Sequence, residues 1–119
     1  MILIVGSAGS GKRSFVKSLG YSDADLAAAT LDHRPVLTHL EQMVFADPAH
    51  ADSLLTQLLQ KDVVLCREVG SGVMPVKEAE RLGREATGRL CILLAQHASC
   101  VIRMVCGIPM FLKGTLPGR

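Results

Sequence analysis

Aromatic side chains are scarce in this 119-residue chain: they make up 3% of it, and tryptophan is absent. Proteins that bind single-stranded nucleic acid stack bases on aromatic rings, so this composition argues against that class. The formal net charge is only +2, too small to indicate a nucleic acid or an anionic membrane surface as a partner. We therefore expect neither among the partners of this protein.

Paired cysteines and long apolar runs are also lacking. The four cysteines are Cys66, Cys91, Cys100 and Cys106, and none forms a Cys-x-x-Cys pair. Each lies in apolar sequence, which favours buried, reduced thiols over a metal site or a disulfide framework. The apolar start covers only residues 1–5, and the apolar stretch 98–112 is interrupted by Arg103 and Pro109. We expect a cytoplasmic protein with no signal peptide and no membrane span.

What the chain does have is enough apolar sequence for one domain over residues 1–119, since hydrophobic residues make up 49% of it and charged residues 20%. Residues 2–5 are a continuous apolar run typical of a buried strand, and residues 62–66 predict another buried strand. Residues 99–106 and 109–113 predict two further strands joined at Gly107. Helices are predicted over 11–20, 48–61 and 76–98, the last with Leu82, Ala86, Leu90, Leu93 and Leu94 facing inward. Residues 21–33 are expected to carry another helix capped by Ser22 or Asp23, while 35–45 fit a strand, a helix or one followed by the other.

Alternation of strands and helices predicts an α/β fold with a small, mostly parallel sheet. The first strand leads into "GSAGSGKRS", residues 6–14, which resembles a phosphate-binding P-loop. We therefore expect a P-loop NTPase-like three-layer sandwich, in which the last strand can run antiparallel. The whole chain would be one nucleotide-binding domain.

In such a loop, glycines allow backbone N–H groups to surround phosphates, and the lysine reaches the β- and γ-phosphates. These features predict a binding site for ATP or GTP made of Gly6, Ser7, Ala8, Gly9, Ser10, Gly11, Lys12, Arg13 and Ser14. Lys12 is the predicted catalytic cation. The alternative is a glycine-rich turn that caps a helix and binds nothing.

One position of the loop departs from the usual pattern. A Ser or Thr normally follows the lysine and helps to hold magnesium, but here Arg13 follows Lys12 and the hydroxyl comes one residue later, at Ser14. Arginine is a cation without an acceptor atom, and Ser14 lies about 100° further round the helix. Magnesium binding is therefore doubtful, and no metal ligand is assigned. Arg13 is expected to serve as an extra cation in place of the metal.

The second half of the chain carries a more specific motif. "EVGSGVMP" begins at Glu68 and includes Gly70, Gly72 and Pro75, "REATGR" follows at residues 84–89, and "GIP" at residues 107–109. Together with residues 1–13, these stretches resemble the adenosylcobinamide kinase/adenosylcobinamide-phosphate guanylyltransferase family of cobalamin biosynthesis. The resemblance implies transfer of a γ-phosphoryl group from ATP or GTP to adenosylcobinamide, a corrinoid, and transfer of GMP to the product. It also implies a homo-oligomer, and a trimer in particular.

The middle of the chain is shorter than in that family, and we expect it to lack the second strand. By resemblance, "DADLAAATLDHRP" is the remnant of a helix that leads to the histidine that carries GMP covalently, which makes His33 the candidate nucleophile. The alternative is that His33 is a solvated loop histidine.

Acidic residues near the loop are the remaining candidates. The resemblance places His39 where the family has an acidic residue, and the next acidic residue, Glu41, lies two positions further along the chain. Either the site no longer binds magnesium, or the alignment with the family is shifted. Glu68 is the third predicted catalytic residue, orienting a substrate hydroxyl or the metal. The alternative for Glu68 is a surface ion pair with Arg67 or Arg89.

These features favour a nucleotide-dependent kinase and guanylyltransferase that acts on adenosylcobinamide. A second hypothesis is a nucleotide-binding regulatory module or subunit without catalysis, which Arg13, His39 and the short middle region favour. A kinase of another P-loop family is disfavoured by "EVGSGVMP".

Overall fold

The computed structural model describes residues 1–68 and 77–117. Its strands are β1 (Ile2–Gly6), β2 (Leu26–Ala28), β3 (Val36–Thr38), β4 (Val63–Arg67), β5 (Cys100–Val105) and β6 (Ile108–Lys113). Its α-helices are α1 (Lys12–Ser18), α2 (Leu40–Ala46), α3 (Leu55–Leu59) and α4 (Glu78–His97), and 3-10 helices cover Asp23–Asp25 and Pro48–Leu54. Within the described residues, no helix is long and apolar enough to cross a membrane.

The six strands form one sheet in the order β2-β3-β4-β1-β5-β6. The first five are parallel, and only β6 runs antiparallel, as the second strand of a hairpin with β5. β1 lies at the centre, where its register pairs Gly6 with Arg67 on one side and with Met104 on the other. The chain therefore leaves β1 in the middle of the sheet edge formed by the carboxyl ends of the parallel strands.

Alternate side chains of the central strands pack into two hydrophobic clusters, one on each face of the sheet. Leu3, Val64 and Val101 pack with buried side chains of α2, α3 and α4. Ile2, Ile4 and Ile102 pack with Val16 of α1 on the other face. This period-two alternation produces helix, sheet and helix layers, so the expected α/β three-layer sandwich with a mostly parallel sheet and an antiparallel last strand is confirmed.

The segment between α1 and β3 differs from the sequence expectation. Residues 21–33 form no α-helix: Ser22 and Asp25 make a capping box around one 3-10 turn, and β2 follows at once. Leu26 and Ala27 are buried because β2 pairs in parallel with β3. This long-range pairing overrides the helix propensity of the alanines. The expectation that a second strand would be missing is also wrong.

Residues 35–54 form several short strands and helices. A strand, β3, is followed by a helix, α2, which was one of the alternatives for residues 35–45. The helix predicted from Pro48 begins there as a 3-10 helix and becomes α-helical only at Leu55, because His50 has non-helical backbone angles.

Helix α4 spans the predicted region with a different inward face. Ala86, Leu90 and Leu94 are buried as expected, but Leu82 is 44% exposed. The neighbouring Gly83 is buried in its place, because the ring of Phe45 lies where a Cβ of residue 83 would be. The absence of a side chain at Gly83 thus allows α2 and α4 to approach closely.

The cysteines are all free thiols, in different environments. Cys66 and Cys100 are buried, Cys91 is partly buried and Cys106 is exposed, so the expectation of buried thiols is wrong for Cys106. A hydrogen bond with Cys91, together with burial, raises the pKa of Cys66.

Candidate functional site

A cleft of about 590 Å³ opens at the carboxyl ends of β1 to β4. This volume is within the range of small-molecule sites, and the carboxyl edge of a parallel sheet is the usual place for such sites. Residues 8–14 line one side of the cleft, and its other lining residues are Leu26, Ala28, Thr38, His39, Glu41, Gln42, Leu65 and Arg67. Seven of the nine residues predicted to bind nucleotide therefore face one cavity.

The loop between β1 and α1 depends on its glycines. Gly9 and Gly11 have φ values of 73° and 96°, in the left-handed region that other residues rarely adopt. A Cβ at Gly6 would lie 2.5 Å from Ser10 Oγ and 2.9 Å from the carbonyl oxygen of Met104. Gly6, which is buried, and Ser7 do not line the cleft but form the start of the turn.

The side chain of Lys12 folds back across this loop. Its ammonium donates hydrogen bonds to the carbonyl oxygens of Gly6, at 2.9 Å, and Ser7, at 2.8 Å. Partial burial lowers the pKa of Lys12, and the negative charge of Glu41 opposes that effect. The loop and the first residue of α1 therefore place a positive charge beside the cleft.

Arg13 points elsewhere. Its Nη2 lies 2.7 Å from Asp23 Oδ1, an oxygen that Lys17 also contacts at 2.8 Å. Both arginine and aspartate side chains are more than 60% exposed, and exposed ion pairs of this kind contribute only about 0–1 kcal/mol. Arg13 thus borders the cleft, and its weak ion pair with Asp23 can be exchanged for a contact with a more highly charged anion. Ser14 also lines the cleft and is exposed.

Glu41 is the acidic residue of the cleft. It lies in the first turn of α2 and is nearly buried, with a relative exposure of 9%. Its Oε1 accepts a hydrogen bond of 2.9 Å from the backbone N–H of Arg67. β3 pairs with β4 only as far as Leu37 and Val64, so the carboxylate replaces the missing strand as the acceptor for this N–H.

His39 precedes α2 with a left-handed φ of 57°. This turn between β3 and α2 brings His39 Nδ1 to 3.7 Å from Glu41 Oε2. Sequence reasoning considered Glu41 only if the alignment with the family was shifted. The helix start, which the residue pattern left ambiguous, is what turns Glu41 into the cleft.

Arg67 is a cleft residue that sequence reasoning considered only as a partner of Glu68. It ends β4 opposite Gly6, and its side chain forms no ion pair among the residues that the structure describes. Arg67 is therefore a third cationic residue lining the cleft, after Lys12 and Arg13, and unlike Arg13 it makes no ion pair within the described part of the chain. Its position at the carboxyl end of a predicted strand was the available clue.

Glu68 lies outside the cleft lining. Its carboxylate is bonded to Arg103, with 2.6 Å between Arg103 Nε and Glu68 Oε1, rather than to Arg67 or Arg89. Its backbone N–H donates to the carbonyl oxygen of Gly6, at 2.9 Å. The observed role of Glu68 is thus to connect β4, β1 and β5 beneath the loop.

His33 lies at the amino ends of the parallel strands, opposite the end of the sheet at which the cleft opens. It is exposed and lies three residues before the start of β3, next to Arg34. The carbonyl oxygen of Arg34 accepts a hydrogen bond from Lys61, just before β4. The structure therefore does not bring His33 to the cleft. Of the "EVGSGVMP" motif, Val69, Gly70, Gly72 and Pro75 lie outside the described residues.

Within residues 1–68 and 77–117, no group of three or more His, Cys, Asp or Glu side chains is arranged to hold a metal ion.

A family model described as cobinamide kinase / cobinamide phosphate guanyltransferase matches residues 36–112. The chain belongs to this family. Membership confirms the resemblance inferred from sequence and connects the chain with a family of transferases of cobalamin biosynthesis. A comparison with curated proteins finds no match.

The family match covers one side of the cleft. It includes Glu41, Arg67, Glu68 and all but the last residue of the β5–β6 hairpin, but it begins after residues 6–14 and after His33. The loop of residues 6–14 is therefore not part of the family match, but in the folded chain it faces the matched residues across the cleft.

Proposed function

We propose that this chain transfers the γ-phosphoryl group of ATP or GTP to the aminopropanol hydroxyl of adenosylcobinamide. The observation that carries the proposal is the position of Lys12: a loop with the P-loop pattern holds its ammonium beside a cleft whose other side comes from the family region. In the reaction, the hydroxyl oxygen forms a bond to the γ-phosphorus while the bond to the β–γ bridging oxygen breaks. ADP or GDP leaves with the pair of electrons, and the hydroxyl proton passes to solvent.

Positioning and charge neutralisation provide the catalysis in this proposal. The N–H groups of Gly9, Gly11 and Lys12 bind the phosphate chain, and the Lys12 ammonium exchanges its bonds with Gly6 and Ser7 for bonds to phosphate oxygens. Arg67 adds positive charge from β4. Each is a cationic or N–H donor, the chemistry that a triphosphate requires.

The residues present can accommodate magnesium that is bound chiefly by the phosphates. Glu41 would hold the ion with its Oε2, the oxygen that the Arg67 N–H does not use, and Ser14 is the first hydroxyl after Lys12 that lines the cleft. When bound, magnesium neutralises charge on the β- and γ-phosphates.

The test is transfer from γ-labelled ATP or GTP to adenosylcobinamide, with millimolar magnesium in one arm and excess chelator in the other. The expected product is adenosylcobinamide phosphate, identified by mass, formed with an equal amount of nucleoside diphosphate. If the chain binds nucleotide but forms no product in either arm, the kinase proposal is wrong.

That outcome would support the second candidate, a nucleotide-binding module without catalysis. Arg13 favours this candidate, because it replaces the hydroxyl and carries a charge that can move from Asp23 to a phosphate. Nucleotide affinity would then depend little on magnesium in the native chain, and Arg13→Ser would bind free nucleotide more weakly and gain affinity from magnesium. A native chain that needs magnesium for binding would contradict this role of Arg13.

Guanylyl transfer is the other reaction in the family description. His33 as the GMP carrier stays a prediction, which a covalent, acid-labile label from α-labelled GTP would support. Because residues 32–35 lie at the edge of the sheet away from Lys12, the kinase step is the better supported of the two.

Self-association is also part of the proposal. β6 is an edge strand whose side chains are largely exposed, among them Ile108 at 63%, Phe111 at 47% and Leu112 at 59%. Exposed apolar edge strands favour pairing with another chain. Sedimentation should show a homo-oligomer, with a trimer expected from the resemblance, and Phe111→Lys should shift it towards monomer.

A further inference from the structure

The turn between β5 and β6 touches the phosphate loop, although almost one hundred residues separate them in sequence. The N–H of Gly107 donates a hydrogen bond of 2.9 Å to the carbonyl oxygen of Ser10. The two backbones are also in close contact, since a Cβ on Gly11 would lie only 3.0 Å from the Cα of Gly107. The hairpin thus holds one specific peptide group of the loop.

That peptide group joins Ser10 to Gly11. In a trans peptide the C=O and the N–H point in opposite directions, and the described residues contain no cis peptide bond. Holding the Ser10 carbonyl towards Gly107 therefore aims the Gly11 N–H away from the hairpin. Within the described part of the chain, this N–H donates to no protein acceptor.

The conformation of the turn makes the Gly107 N–H available. Cys106 and Gly107 have φ values of 50° and 77°, both left-handed, between the closing pair Val105 and Ile108. Two-residue hairpin turns of this kind favour glycine at the second position. The N–H of that residue is not needed for the strand ladder, so it is free to bond outside the hairpin.

We infer that Gly107 is a positioning residue for phosphate binding: its N–H fixes the Ser10–Gly11 peptide with the Gly11 N–H directed at a bound phosphate. This inference rests on the proposed function, because it requires the loop to bind a phosphate chain. Without the hydrogen bond from Gly107, the peptide is free to rotate and present its carbonyl oxygen, which repels phosphate.

The test compares Gly107→Val with Gly20→Val. Gly20 also has a left-handed φ, 109°, and at both positions no atom lies within 4 Å of an added Cβ. A branched residue therefore imposes the same kind of backbone strain at the two sites, but Gly20 lies beyond α1, outside the loop. Both variants should lose similar thermal stability.

The expected difference is in binding. Gly107→Val should weaken binding of GTP and of inorganic tripolyphosphate by about tenfold each. The branched residue strains the turn and displaces the residue 107 N–H, and the bond from the Gly11 N–H to a charged phosphate that is then lost is worth about that factor. Gly20→Val should bind both as the native chain does. Gly107→Asn should recover most of the affinity, because asparagine tolerates the left-handed region better than valine and so leaves the backbone N–H in its place.

Amide exchange of the nucleotide-free chain gives a readout that needs no ligand. The Gly107 N–H should exchange slowly in the native protein. A fast-exchanging Gly107 amide, or native affinity in Gly107→Val, would overturn the positioning role while leaving the proposed function intact. A native chain that binds neither GTP nor tripolyphosphate would overturn both.

Discussion

Two polar loops of this protein, residues 6–14 and residues 29–35, lie at opposite ends of the parallel strands of the same sheet. The first follows β1 and therefore lies at the carboxyl edge, where the cleft opens. The second returns from β2 to the amino end of β3, so His33 lies next to the start of a strand. In a parallel sheet, the end of the strand at which a residue lies determines whether it can reach the site.

Charges are also used differently at the two edges. Asp32 accepts hydrogen bonds from the backbone and the guanidinium of Arg34, and Arg34 also donates to the carbonyl oxygen of Leu26. The hydrogen-bonding groups of Asp32 and Arg34 are therefore occupied by each other and by the backbone. At the cleft, by contrast, Lys12 holds only two carbonyl oxygens, and Arg67 makes no ion pair among the described residues. Charges that have weaker partners remain available to a ligand.

The largest expected effect is the loss of Lys12. Lys12→Ala should weaken triphosphate binding by about 1.5–3 kcal/mol, the usual value of a charge-assisted contact. The control is Lys17→Ala. Lys17 lies on the same helix as Lys12, but it pairs with Asp23 and does not line the cleft. Calorimetry should show near-native affinity for the control. Equal affinities for both variants would make the loop purely structural.

Glu41 tests whether the cleft also contributes to folding. Glu41→Ala leaves the Arg67 N–H without its side-chain acceptor, which should lower the free energy of unfolding by about 1–2 kcal/mol. Glu41→Gln keeps a carbonyl oxygen at the same place and should lose less. Urea unfolding of the three proteins measures the difference. If Gln and Ala destabilise equally, the hydrogen bond to Arg67 is not what holds this side chain.

The amino edge should respond to acid. Hydrogen bonds from Arg34 lower the pKa of Asp32 to about 2, below the usual value of about 3.9. A lowered pKa in the folded state means that the stabilisation is complete above about pH 4 and is lost as the pH falls towards 2. The stability difference between the native chain and Asp32→Asn should therefore shrink over this interval. A difference that stays constant from pH 5 to pH 2 would contradict the assignment.

The smallest effect is expected for His33. His33→Ala should change the affinity for ATP or GTP less than twofold, because the side chain is exposed at the edge away from the cleft. The measurement is the same calorimetric titration as for Lys12→Ala. A large loss of affinity would show that the region around His33 reaches the nucleotide, and the separation of the two edges would no longer hold in the complex.

Several features of this protein follow from its sequence alone. Short-range patterns predicted β1, β4, α1 and the β5–β6 hairpin, because a buried strand needs a continuous apolar run and a helix needs its own periodicity. The family was also recognisable from short motifs, since these are contiguous in the chain.

Other features were decided by contacts between distant segments. Pairing with β3 converted the alanines of β2 from an expected helix into a strand, the short pairing of β3 with β4 left the Arg67 N–H to Glu41, and the hairpin brought Gly107 to Ser10. His33 came to the opposite edge for the same reason, since the position of β3 fixes where the loop before it lies. A single sequence records the local preferences of each segment, whereas these outcomes depend on which segments lie next to one another in the sheet, and only the tertiary structure determines that.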